Sequence, residues 1–137
     1  NNACVTWGAR TQKCVALSTA EAEWYALADA GKSALWLRKL FTDIGMRCHN
    51  PTRISEDNTS SIKWSKDSAA WARTRHIDIK YNAIKDWVES ELIHIEYCPT
   101  NSMLADIFTK PLPSAKHIDM TDLIFNTKST LSIAQAA

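Results

Sequence analysis

Residues 17–27 read LSTAEAEWYAL, with two glutamates two positions apart, Glu21 and Glu23, near the start of an apolar-periodic run. Ser18 followed three residues later by Glu21 is a capping-box signature, in which the serine and the glutamate satisfy orphan donors at a helix N-terminus. The helix is predicted over 18–45, with Gly45 as its stop and Arg38 and Lys39 near that end. Stepping from residue 23 by 4, 3, 4, 3 and 4 gives Glu23, Leu27, Ala30, Ala34, Leu37 and Phe41. All but the first are apolar, so Glu23 is expected to head the line that faces the core. Glu21 lies about 200° around the helix from it, and its expected task is the cap. A carboxylate at the head of a buried stripe needs a cationic partner, a metal or a solvated cleft. An edge-of-core glutamate paired with Lys or Arg is the plain alternative.

On the N-terminal side, residues 3–8 (ACVTWG) and 13–18 (KCVALS) read as extended pieces before the helix. After Pro51 the stretch 52–58 reads as a strand, and 59–66 as a short helix. Residues 66–75 read as a loop. Apolar residues at 77, 81, 84 and 88 predict a helix from Ile77 to about Glu89. Residues 92–98 (LIHIEYC) alternate and predict a strand ended by Pro99. A last short helix is expected over 102–110, stopped by Pro111 and Pro113. The tail, 114–137, is weakly patterned, and its stretch 129–135 reads as either a strand or disorder. This order of strands and helices is that of an α/β layered domain.

The length, 137 residues, suits one small domain, and six tryptophans can each bury a large apolar area. A net charge of +1, from 16 basic against 15 acidic residues, excludes a strongly basic nucleic-acid binder but leaves room for a local basic patch. Cysteines 4, 14, 48 and 98 form no CxxC pair and are expected to be reduced, mostly buried thiols of an intracellular protein. No apolar run is long enough to span a membrane. The first residues, NNACVTWGAR, hold neither an initiator Met nor a signal-peptide pattern, and read as a chain that begins mid-domain.

Two further acids share the peculiarity of Glu23. Asp57 ends a predicted strand, the place where open α/β sheets hold their ligands; its plain alternative is a cap for the following helix. Asp106 lies in LADIF, residues 104–108, after the last strand, and its plain alternative is a surface helix acid. Three acids at the ends of apolar elements together point to a divalent-metal site, because hard cations such as Mg²⁺ take carboxylate oxygens.

Four segments carry a resemblance that covers residues 4 to 113 in order: VTWGARTQKCVALSTAEAEWYAL (5–27), EDNTSSI (56–62), TRHIDIKY (74–81) and EYCPTNSMLADIFTKPLP (96–113). Together they resemble the ribonuclease H domain of copia-type retrotransposon polyproteins. The resemblance implies a ribonuclease H-like mixed sheet with flanking helices, occupying 1–113 and followed by the 114–137 tail. It implies hydrolysis of the RNA strand of RNA–DNA hybrids, using carboxylates and two Mg²⁺. By motif, Glu23, Asp57 and Asp106 are the catalytic, metal-holding carboxylates of the set. Arg73, Arg75 and His76, followed by Asp78, match a family segment whose basic members could touch phosphates, or could instead be solvated charges at a helix start. Asn58 of the DN pair is grouped with the nucleic-acid contacts. Trp24 stands where the family has Tyr, and Asn82 where it has His. The family's first aspartate and first two strands have no counterpart in these residues. They are expected from the remainder of a reverse transcriptase polyprotein or from a second chain completing the sheet, and the tail could also fill in. The implied setting is a cytoplasmic virus-like particle or the nucleus. A catalytically dead retroelement-derived binding or protein-interaction module is the alternative function.

Overall fold

The computed structural model describes residues 4–12, 15–66 and 78–126. Helix α1 (Thr19–Asp43) begins where the capping box predicts: the Ser18 hydroxyl accepts from the Glu21 backbone N–H at 3.1 Å. Strand β1 (Thr52–Glu56), helix α2 (Thr59–Lys66), helix α3 (Asp78–Glu89) and strand β2 (Ile93–Tyr97) follow. Helix α4 (Ser114–Phe125) closes the described chain. Residues 104–108 form a 3₁₀ turn rather than the expected α-helix. The expected loop over 66–75 lies, after Lys66, outside the described residues, as does the candidate strand 129–135.

The molecule is mixed α/β. β1 and β2 pair in parallel, Thr52 opposite Ile93 through Glu56 opposite Tyr97. Parallel pairing requires a crossover, and α2 and α3 lie in the chain between the two strands. The core of this unit is Trp24, Leu27, Ala28 and Ala34 of α1, Ile84 of α3, and Ile93 and Ile95 of β2. Trp64 of α2 meets the Trp24 ring edge-on, with centroids 6.0 Å apart. Gly31 lets α3 approach α1 closely: a Cβ there would lie 2.6 Å from Trp87 Cζ3. A mid-helix glycine weakens a helix by about 1 kcal/mol relative to alanine, and the Trp87 ring occupies the room it leaves.

Residues 4–8 and 15–18 are not strands, contrary to expectation. A β-ladder needs a partner for its N–H and C=O groups, and the described residues give these segments none of the sheet. Val5, Trp7, Val15 and Leu17 are accordingly exposed. The cysteine reading is also corrected. Cys4 is exposed and Cys48 and Cys98 are half-buried, all three as free thiols.

By packing, the chain divides into two units, one formed by residues 12–101 and the other by residues 1–11 with 102–137. In the latter unit the Cys4 N–H donates to the Ile124 carbonyl at 2.8 Å, Trp7 stacks on Phe108 at 5.4 Å, and α4 buries Met120.

Candidate functional site

The strand ends build the site. Because β1 and β2 run parallel, the residues that follow them emerge on the same sheet edge. β1 alternates, so Glu56 shares the inward face of Ile54 and is buried. Asp57 comes next, half-buried. The helix-capping task that Asp57 could have had belongs to Asn58: its Oδ1 accepts from the N–H groups of Ser60 at 2.9 Å and Ser61 at 3.3 Å. That carbonyl oxygen is therefore committed to α2. Ser61, fully buried, donates its hydroxyl to the Ala20 carbonyl at 3.3 Å, which brings the start of α2 against the start of α1.

The consequence is a meeting of carboxylates. One oxygen each from Glu23, Glu56 and Asp57 all lie within 4.8 Å of one another. Glu23 and Asp57 thus converge as the sequence predicts, and Glu56 joins them unpredicted. Its signal was present in the alternation of residues 52, 54 and 56, which puts an acid on the core side of a strand. The backbone N–H of Asn58 donates to Glu56 Oε1 at 3.0 Å. Burial pushes the Glu56 carboxyl up to about 7 from an ordinary 4.5; the Asn58 hydrogen bond opposes this, and the charges of Glu23 and then Asp57 add to it. On the other side of Asp57, the Thr100 hydroxyl donates to its Oδ2 at 2.8 Å.

The phase predicted for α1 needs correction. Its buried residues are Glu21, Trp24, Leu27, Ala28, Gly31 and Ala34. Ala30 is exposed, Leu37 and Phe41 are half-buried, and Glu23 is half-buried at the stripe's edge rather than at its head. Glu21 is the buried acid, 3% exposed, and it has structural partners. Its Oε2 accepts from the Leu17 N–H at 2.7 Å and its Oε1 from the Tyr25 hydroxyl at 2.9 Å. The reach-back therefore goes one residue before the cap.

Asp106 belongs to the second unit. It is the buried residue of the 104–108 turn, and its Oδ1 lies 2.7 Å from Lys110 Nζ. Arg73, Arg75 and His76 lie outside the described residues.

The donor set at the strand ends is three carboxylates, all hard oxygen ligands. That chemistry suits Mg²⁺ or Mn²⁺ rather than Zn²⁺, which favours nitrogen and sulfur. Ligand oxygens around one such ion stand ~3–4 Å apart for metal–oxygen bonds of ~2.1 Å; the three oxygens here lie within 4.8 Å of one another.

The chain is similar to retrovirus-related Pol polyproteins of plant transposons. It is 38% identical over 112 residues to that of transposon TNT 1-94 from Nicotiana tabacum, a match covering 82% of this chain and 8% of the relative. It is 32% identical over 108 residues to that of RE1 and 30% to that of RE2, both from Arabidopsis thaliana, each match covering 79% of this chain and 7% of the relative. These are homologues from copia-like elements, and the chain is related to a small part of each polyprotein. No family model and no solved structure matches it. No helix among the described residues is long and apolar enough to cross a membrane.

Proposed function

We propose that this chain supplies the carboxylate face of a retrotransposon ribonuclease H domain, in which Mg²⁺-dependent hydrolysis cuts the RNA strand of an RNA–DNA hybrid. The observation that carries the reading is the convergence of Glu23 and Asp57 at the common end of two parallel strands. The four motif segments and the Pol polyprotein relatives support it. A ribonuclease H-like mixed sheet requires more strands than this parallel pair. The reading takes them from the rest of the polyprotein or from a second chain.

Each residue has a separate task in this reading. Glu23 and Asp57, with Glu56 beside them, would hold the metal. When bound, Mg²⁺ activates a water and stabilises the leaving oxygen. Arg73, Arg75, His76 and the amide of Asn58 would meet the hybrid's phosphate backbone, where cationic contacts supply much of the affinity. Glu56 adds a carboxyl that gains or loses its proton near neutrality.

Two measurements test the reading. Mn²⁺ titration of the chain should show binding that Glu23→Gln and Asp57→Asn each remove. Added to the polyprotein segment that precedes it, the chain should enable Mg²⁺-dependent cleavage of an RNA–DNA hybrid but not of duplex DNA. Mn²⁺ binding that survives both substitutions would sink the metal assignment.

A further inference from the structure

We propose that Thr100 is a positioning residue for Asp57, fixing which carboxylate oxygen is presented to a divalent cation. The inference rests on the metal reading of Asp57 above. β1 and β2 are parallel, with Glu56 opposite Tyr97, and the Cys98 N–H extends the ladder by donating to the Glu56 carbonyl at 2.9 Å. Pro99 then ends the strand, because it has no N–H to continue the ladder. The chain turns into the short 3₁₀ segment Thr100–Ser102. Thr100 is three residues past the end of β2 and Asp57 one residue past the end of β1. In a parallel pair these positions share an edge, and the Thr100 hydroxyl donates to Asp57 Oδ2 at 2.8 Å.

That hydrogen bond does two things. A carboxylate bound to solvent alone rotates about its last torsion, which is broad and roughly two-fold. A donor on Oδ2 removes that freedom and leaves Oδ1, with the second lone pair of Oδ2, for a cation. It also spans 43 residues of sequence, tying the end of one strand to the turn after its neighbour. Groups that orient metal ligands in this way typically contribute 10–100-fold to metal affinity. Ser can replace the hydroxyl; Val matches the shape of Thr but donates nothing.

The experiment is calorimetric Mn²⁺ titration of the full chain and of its Thr100→Val, Thr100→Ser and Asp57→Asn variants, with melting of each in EDTA. Thr100→Val should weaken Mn²⁺ binding by at least about 10-fold while melting like the unaltered chain. Thr100→Ser should stay within about 3-fold of the unaltered chain, since it keeps the donor. Asp57→Asn should remove binding. Unchanged affinity in Thr100→Val, with binding lost in Asp57→Asn, overturns the proposal and leaves the metal reading standing. Equal losses in the Val and Ser variants overturn it too, because the hydroxyl would then not be the cause. An unaltered chain that binds no Mn²⁺ overturns the metal reading and this proposal together.

Discussion

The two ends of α1 treat charge in opposite ways. At its N-terminal end, Glu23 approaches Glu56 and Asp57, so three carboxylates crowd one strand edge. Toward its C-terminal end one cation, Arg38, is given over to neutral acceptors, while its neighbour Lys39 pairs with Asp43 at 3.6 Å. Arg38 Nη1 donates to the Asn50 carbonyl at 2.7 Å and to Thr52 Oγ1 at 3.2 Å, and its Nη2 donates to the Cys48 carbonyl at 2.9 Å. A guanidinium matches such a fork of acceptors, and its charge strengthens each bond. The clamp holds the turn between α1 and β1 to the helix it follows. One end therefore stabilises the fold, and the other stores repulsion that a bound cation would relieve. A region whose charges oppose folding is where function is to be sought.

The sharpest way to separate the two ends is pH. Glu56 has a folded-state value of about 7 against an ordinary 4.5, so the folded chain holds that proton more tightly than the unfolded chain does. Relative to this group, stability is highest below the unfolded value and falls as pH rises from 4.5 to about 7. A shift of that size corresponds to about 3 kcal/mol. In EDTA, Glu56→Gln should therefore stabilise the chain by that order at pH 8 and by little at pH 4.5, as measured by urea unfolding. Equal effects at both pH values would show that the carboxyl is not perturbed.

The opposite end should respond without regard to pH. Arg38→Ala removes three charge-assisted hydrogen bonds from a half-buried site and should destabilise by about 2–3 kcal/mol. Arg38→Lys should recover about half of that, since a point charge cannot span the fork. An Arg38→Ala variant that melts within a degree or two of the unaltered chain would mean that the clamp is replaced by water.

The middle of α1 comes next in size. Gly31→Ala puts a methyl 2.6 Å from the Trp87 ring. Overpacking of this kind typically destabilises by ~1–3 kcal/mol, and the better helix propensity of alanine returns about 1. The net expectation is a loss of about 0–2 kcal/mol, which disappears when Gly31→Ala is made in a Trp87→Leu background. Stabilisation by Gly31→Ala alone would show that α3 can shift to make room.

Much of this architecture was legible because several signals agreed. The Ser18 cap, the Pro51 boundary and the alternation of residues 92–98 place α1, β1 and β2 within a residue or two of where they lie. The phase of α1 was not legible for a specific reason. Apolar residues ring this helix, at Trp24, Tyr25, Leu27, Leu35, Trp36, Leu37, Leu40 and Phe41. Two phases fit the pattern, and the packing of Trp24 and Trp87 selects one. α4 was missed because Met120 is its buried residue while Ile118, Leu123 and Phe125 are exposed, which leaves no stripe to read. Glu56 stands beside the more conspicuous Asp57, and only the strand's own alternation puts it on the buried face. Residues 4–8 and 15–18 have strand composition, but composition cannot supply a ladder partner.

The smallest expected effect concerns the two glutamates of residues 17–27. Glu21 and Glu23 are two residues apart, yet they belong to different systems. Glu21 is buried and closes the N-terminus of α1 through the Leu17 N–H and the Tyr25 hydroxyl. Glu23 is half-buried and faces the carboxylates at the strand ends. Glu21→Ala removes the reciprocal half of the cap and an acceptor of the Tyr25 hydroxyl. Caps of this kind are typically worth ~0.5–2 kcal/mol, and removal of a buried charge offsets part of the loss. A destabilisation of about 1 kcal/mol is therefore expected, with Mn²⁺ affinity unchanged within twofold. Glu23→Gln should show the reverse: no loss of stability, since it takes one charge out of three crowded carboxylates, and Mn²⁺ binding lost. If Glu21→Ala weakens Mn²⁺ binding as much as Glu23→Gln does, the cap and the carboxylate cluster are one system, and the division between them is wrong.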